Sequence, residues 1–532
     1  MTRRDRELLI VAAFTGFVLF PFLGKAFHMD EPFFLAIARQ ILRDPWHPFA
    51  FDYNWYGKAV PMASINNTPP LLGYLLAAAY RLTGGGEAAM RLSFLPFDLM
   101  ASLALYLLAA RFLQSPLLPV LIVIASPAYM INMNHLMAEK VMAGLAFPSL
   151  YALVRGVDEN RPAWLWGSAA LFAAALLAKY NAIFIALPAF FYLGRRVSLS
   201  RLAGYFAVAG LPLLCYLLGN TLFEGGALAS ALRVTSDSSH MPWSAWSHTL
   251  RSFLAFTGGC GVVTVLWTVL LPRPPKAVLW MCAAIVAVLF LPWFDLAPIV
   301  RPIDRWTGAL LSFGTLLALL SLCRAGGAGA RLWGPWVVSV SMLVLFVYWS
   351  VLARLILFLI PPLVFSLAEA LEARWSASRL WRLQAASLAV VAALSFALSS
   401  VDFQYAGAQK TMARRAATEY AAKGRRLWCA AHWGLQHYVE EAGGAELDWS
   451  KGGWDLVKPG DVVIIPRVNS NILKPKRGLM ANVQETRLGC PIPLRLISGW
   501  SGEAGFYSNT FGFLPYSLSA EPLEEFRFVE AL

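Results

Sequence analysis

Apolar runs broken by short polar stretches recur along the first 400 residues, from LLIVAAFTGFVLFPFLG at Leu8 onward. A membrane helix needs about 20 mostly apolar residues, and at that length the pattern predicts about thirteen spans. They begin near Glu7, Met90, Pro116, Ala138, Pro162, Asn181, Arg201, Leu250, Lys276, Trp306, Trp333, Leu355 and Gln384, those at Ala138 and Asn181 being short or interrupted. The pattern departs from this rhythm twice. Residues 28–89 form a long outer loop, too polar to span and too apolar to float. Within it, DEPFFLAIARQIL puts Phe34, Ile37, Ala38 and Ile41 on one helical face, which predicts a helix lying in the membrane interface. PPLLGYLLAAAYRL, ending before Gly84, Gly85 and Gly86, predicts a second short helix of the same kind. From about Asp402 the chain turns polar, and RLWCAAH, WGLQHYVEEAGG and KPGDVVIIP read as strand, helix and strand. The expected architecture is a membrane all-α domain over residues 1–401 followed by a small α/β domain over residues 402–532.

The polar breaks carry the orientation. One alternate set holds Arg3, Arg4 and Arg6; Arg111; Arg155 and Arg161; Arg195, Arg196 and Arg201; Arg273 and Lys276; Arg324 and Arg331; then Arg374, Arg379 and Arg382. The other set is richer in His, acids and aromatics. Basic loops stay in the cytoplasm, so the N-terminus is expected inside and, with an odd number of spans, the tail in the periplasm. No internal repeat is visible, which speaks against an inverted-repeat transporter, although a polytopic lipid or glycolipid transporter is the alternative reading.

Composition agrees: 58% of the 532 residues are hydrophobic and 14% charged, which excludes an ordinary soluble protein. The 20 Trp and 17 Tyr suit segment ends at headgroup level. The net charge of +13 is mostly loop charge, and the basic tail start (Lys410, Arg414, Arg415, Lys423, Arg425, Arg426) lacks an aromatic platform, so a membrane and not nucleic acid is the expected partner. The cysteines show no metal-type spacing; Cys429 and Cys490 are placed in an oxidising compartment, where a disulfide is open to them.

Candidate chemistry starts at Asp30 and Glu31. Asp30 can cap the following helix, with Glu31 and Pro32 suited to its first turn; the other reading makes a carboxylate at an outward cavity a general base. The Asp-Glu pair with AIARQILRDPW, then a Pro-Pro-Leu element with YRLTGGGEAAMRL, resembles the outward loop of bacterial relatives of protein O-mannosyltransferases. That group has the GT-C glycosyltransferase architecture and includes the lipid A aminoarabinose transferase. LLAKYNAIFIALP, RLILFLIPPLVFSLAEAL and AHWGLQHYVEEAGG look like further shared elements. The resemblance implies transfer of a sugar from an undecaprenyl-phosphate donor to a lipid or glycan acceptor on the periplasmic side of the inner membrane, with lipid A among the acceptors. It puts catalysis on Asp30, with Glu31 beside it. The aminoarabinose-type enzymes carry Lys-Pro-Pro-Leu where this chain has Thr68-Pro69-Pro70-Leu71, so that phosphate contact does not carry over, and Lys58 is a candidate substitute.

Such a transfer needs one base and cations for the departing phosphate. Lys179 interrupts two apolar runs, where it either serves function or snorkels to the headgroups. Arg354 starts an outer helix as a phosphate contact or an interfacial anchor; Arg301 either binds substrate or pairs locally with Asp304. Glu139, where relatives show Asp, orients the acceptor or holds a cation, or else pairs with Lys140 or serves as a helix-start carboxylate. Asp237, His240 and His248 offer a weak site for a divalent metal ion, the one cofactor the sequence admits, and also read as ordinary loop residues; His432 and His437, five apart and so not on one helical face, read as structural.

Overall fold

The computed structural model describes the whole chain except residues 56, 67, 224–242, 273, 292–299, 325–326 and 470–479. Asp237 and His240 of the suggested metal site lie outside the described residues. The chain divides into two compact units. One comprises residues 1–21, 93–399 and 496–518; the other comprises residues 22–92, 400–495 and 519–532.

The first unit is helical. A helix lies at or within a few residues of each of the thirteen expected starts. Continuous helices are fewer: among the described residues five are long and apolar enough to cross a membrane, or up to seven if each bent pair counts as one span. The shortfall has local causes. The run from Pro116 is cut at Ser126-Pro127, giving Leu117–Ala125 and Pro127–Asn132, because the residue before a proline is pushed out of the helical region. The run from Leu250 turns by 87° at Gly261, between Trp246–Cys260 and Val262–Thr268. The run from Asn181 opens as a tighter 3-10 stretch, Tyr180–Ile185.

Ala138–Asp158 is buried along most of its length. It gets there through small residues, as close helix packing in a membrane requires. A Cβ on Gly144 would sit 2.8 Å from the Phe97 carbonyl oxygen, and one on Gly156 would sit 2.7 Å from the Leu165 amide nitrogen.

The second unit joins the first outer loop to the tail. The two expected loop helices are Glu31–Arg43 and Leu71–Thr83. They pack against each other at Gly73, whose Cα lies so near Ile37 and Ile41 that a Cβ would come within 2.9 Å of both. Between them runs the hairpin Asp52–Asn54 with Ala59–Pro61. The tail's strand, helix and strand are Leu427–Cys429, Trp433–Glu441 and Val462–Pro466. They belong to a five-stranded mixed sheet in the order Ala445–Glu446, Leu427–Cys429, Val462–Pro466, Glu524–Ala531, Met480–Leu488. The first three strands are parallel and the last two antiparallel, and Trp428, Leu447, Trp454 and Val463 fill the core on one face. Cys429 and Cys490 are free thiols, so the disulfide left open by the sequence is not formed.

Candidate functional site

In the second unit the turn before the first loop helix sets the Asp30 carboxylate. Met29 is buried with φ at 55°, in the left-handed region that non-glycine residues seldom occupy. Asp30 follows with φ −78° and ψ −2°, in the helical region and not in the extended conformation of a capping residue, and its side chain makes no capping hydrogen bond. Its expected role as the cap is therefore not what the backbone allows, because from that conformation the carboxylate is not directed at the next turn's amides.

Glu31 is wholly buried. Its Oε1 pairs with Arg91 Nη2 at 2.7 Å, and its Oε2 accepts the His28 amide at 2.9 Å. Arg91 in turn donates to the Lys25 carbonyl. The pair thus separates by environment: Glu31 ties the turn down and Asp30, partly exposed, stands at its end. Further ties come from the tail. Asp402 takes Lys25 Nζ at 2.7 Å and the His28 ring at 3.2 Å. The Tyr438 hydroxyl accepts the Phe27 amide at 2.7 Å and donates to Glu87 at 2.9 Å. Gly434 lies against the Phe27 carbonyl, where any Cβ would be 2.4 Å from that oxygen. Arg91, Asp402, Tyr438 and Gly434 were not singled out from sequence. The one signal for them is that Arg91, Gly434 and Tyr438 fall inside the stretches that carry the family resemblance.

Thr68, where relatives have lysine, is buried and its hydroxyl donates to Asn66 Oδ1 at 2.7 Å. It offers no charge. Lys58 is exposed in the connection between the two hairpin strands.

In the first unit three sequence candidates meet. Glu139, in the first turn of Ala138–Asp158, pairs with Lys179 Nζ and lies 3.3 Å from Arg354 Nε. Lys179 sits in the extended break after Pro162–Ala178, as its place between apolar runs predicts, and its ammonium is 6.0 Å from the Tyr348 ring centre. Arg354 is the most exposed of the three and also reaches Met137 Sδ at 3.3 Å. The expected alternative, Glu139 with Lys140, is not formed: neighbours along a helix point to different faces, and Lys140 instead reaches buried Asp98 at 2.9 Å. One carboxylate thus holds two cations.

Arg301 pairs with Asp304 at 2.8 Å and donates to the Leu518 carbonyl, the local pair expected as its simpler reading. His248 Nδ1 accepts from the Asn509 side-chain amide at 3.2 Å. His432 is buried and stacked on Trp55, and burial pushes its imidazole down to about 4.

Residues 67–223 match the family model described as dolichyl-phosphate-mannose-protein mannosyltransferase. That stretch contains Glu139 and Lys179, and the match agrees with the resemblance drawn from the outer loop. Curated proteins give no match by sequence. Among solved structures, 13 chains match. One is the crystal structure of ArnT from Cupriavidus metallidurans in the apo state, 15% identical, with 87% of this chain and 93% of that one covered and a TM-score of 0.49. The same protein bound to undecaprenyl phosphate is 14% identical over 86% and 92%, at 0.47. The arabinosyltransferase EmbB from Mycobacterium smegmatis is 14% identical over 93% and 47%, at 0.36.

Proposed function

We propose that the chain is a GT-C membrane glycosyltransferase. It moves a sugar from a polyprenyl-phosphate donor, of the undecaprenyl class, to a hydroxyl of a lipid or glycan at the periplasmic face of a bacterial inner membrane. The observation that carries this reading is the cluster of Lys179 and Arg354 on Glu139. Ionisable groups among membrane helices are costly and serve function by default, and cations are what a departing phosphate needs as its charge grows. The matched family's description names a sugar carried on an isoprenoid phosphate, which supports the donor class.

In this reading Asp30 takes the proton of the acceptor hydroxyl as its oxygen attacks the anomeric carbon. The bond from sugar to phosphate breaks with its electron pair remaining on the phosphate, and the anomeric configuration inverts. A phosphate leaves without needing an acid, so one carboxylate suffices and Glu31 stays in its pair with Arg91. Lys179 and Arg354 hold the phosphate as its charge grows.

The test is transfer by the purified full-length chain in liposomes. Undecaprenyl phosphate linked to a labelled sugar serves as donor, envelope lipid extract as acceptor, and mass spectrometry reads the product. Asp30→Asn is expected to lose about 10²- to 10⁴-fold in rate with its melting curve unchanged. Full turnover by that variant removes Asp30 from the mechanism, and absence of product from a panel of hexosyl and pentosyl donors overturns the enzyme reading.

A further inference from the structure

A polar chamber lies within the second unit, between the helices Glu31–Arg43 and Trp433–Glu441, with a volume of about 290 Å³. Its walls are contributed by Arg39 and Arg43 from the first helix, Tyr53 and Asn54 from the hairpin, Gln436 and Glu440 from the second helix, and Glu446 from the sheet edge. None of these carries a role in the proposed transfer.

Gln436 is only 2% exposed. Its Nε2 donates to Glu440 Oε1 at 3.1 Å and also to Glu446. Its Oε1 has no hydrogen-bond partner among the described residues. A buried amide oxygen in that condition calls for a donor from outside the protein. The two carboxyl groups share one amide and so stand close together. Burial, and then the neighbouring Glu440 and Asp448, push the Glu446 carboxyl up to about 8, which makes it a hydrogen-bond donor at neutral pH.

The lining therefore offers both donors and acceptors: the Arg39 and Arg43 guanidinium groups, the Asp52 and Glu440 carboxyl groups, the Glu446 carboxylic acid and the Gln436 amide oxygen, with Tyr53 as a further wall. A hard metal ion asks for oxygen ligands alone, and two arginines would repel it. An anion would meet the acids. A neutral ring bearing hydroxyls satisfies both sides at once, each hydroxyl giving one hydrogen bond and taking others. The volume lies just under the roughly 300 to 1,000 Å³ of ordinary ligand pockets, the scale of one ring and not of a chain.

We infer that this chamber is a carbohydrate subsite that holds a single sugar ring of the acceptor. Calling the ring the acceptor's rests on the proposed transferase reading; that the chamber takes a sugar does not. The same helix carries Asp30 at its start and Arg39 and Arg43 further along, so a ring held here would fix the acceptor relative to the base.

Binding is measured on the intact protein in detergent with no lipid donor present. Saturation-transfer NMR uses glucose, galactose and N-acetylglucosamine, and calorimetry uses calcium chloride and inorganic phosphate. At least one sugar is expected to bind, with affinity lowered at least tenfold by Glu440→Gln and by Gln436→Met. Arg43→Ala, at an exposed position, supplies a variant whose folding is not at stake and is expected to weaken binding several-fold. The subsite is overturned if no sugar binds the parent protein, if binding is equal in all three variants, or if calcium or phosphate binds and these variants abolish it. A protein that binds sugar here yet transfers nothing overturns the transferase reading and leaves the subsite standing.

Discussion

Glu31 and Asp30 are adjacent in sequence and differ in what removing their charge should do. Glu31→Gln leaves the buried Arg91 without its counter-charge. Breaking a buried pair by removing one partner costs about 3–5 kcal/mol, so the melting midpoint of Glu31→Gln should drop clearly, read by tryptophan fluorescence in detergent, with activity falling in step. An unchanged midpoint would show that Arg91 is satisfied without it. Glu139→Gln tests the other cluster. It should destabilise the protein by a similar amount, about 3–5 kcal/mol, whereas Arg354→Ala, at the more exposed cation, should mainly raise KM for the lipid donor. The acidic pair and the lone cations were readable because such residues stand out in apolar text. Their partners were not: Phe27 and Tyr438 are 411 positions apart, and a single sequence holds no record of which distant residues meet. Of the readings open to Glu139, the pair with Lys140 fails because proximity along a chain ignores the turn of the helix, which carries Lys140 to Asp98.

Among the elements, Trp433–Glu441 holds the turn that ends at Asp30, in part by packing Gly434 against the Phe27 carbonyl. A methyl group there has no room, and the atom it meets is backbone, so Gly434→Ala should cost about 1–3 kcal/mol. Hydrogen exchange should quicken at the Phe27 and His28 amides if the contact orders the turn; unaltered exchange would mean the turn stands without it. Helices were legible from period and length, and the tail's strand, helix and strand from Gly and Pro boundaries. The breaks inside apolar runs were less so. Ser126-Pro127 and Gly261 carry signals for a break, but hydropathy averaged over a span hides them. The sheet order was beyond reach, since Glu524–Ala531 inserts between two strands that precede it in sequence.

For the whole molecule, charge asymmetry between alternate loops makes a direct prediction. Alkaline phosphatase fused after Leu532 should be active in cells, and fused before Met1 should not; the reverse pattern would overturn the expected orientation. Acidity should matter as well. Burial holds the Glu446 carboxyl up at about 8 and the Glu524 carboxyl at about 7, both above the roughly 4.3 of an unfolded glutamate. The folded state therefore binds protons that the unfolded chain has released, and this stabilisation is lost as pH rises through those values. His432 works in the opposite sense, since its folded value of about 4 withdraws stability as pH falls below the histidine range. The melting midpoint should thus fall as pH rises from about 4.5 to about 8, most steeply above about 6.5 where His432 no longer offsets the loss, and level off beyond about 8; Glu446→Gln should flatten that slope, and an identical slope would assign it elsewhere.

Position 29 also sets a filter on which sequences can make this turn. With φ at 55°, a side chain branched at Cβ is strongly disfavoured, while glycine and asparagine sit there with ease. In a saturation library at this codon, selected for function, Gly and Asn should therefore be enriched while Val and Ile vanish, although by size and polarity alone Val and Ile are the better substitutes for methionine.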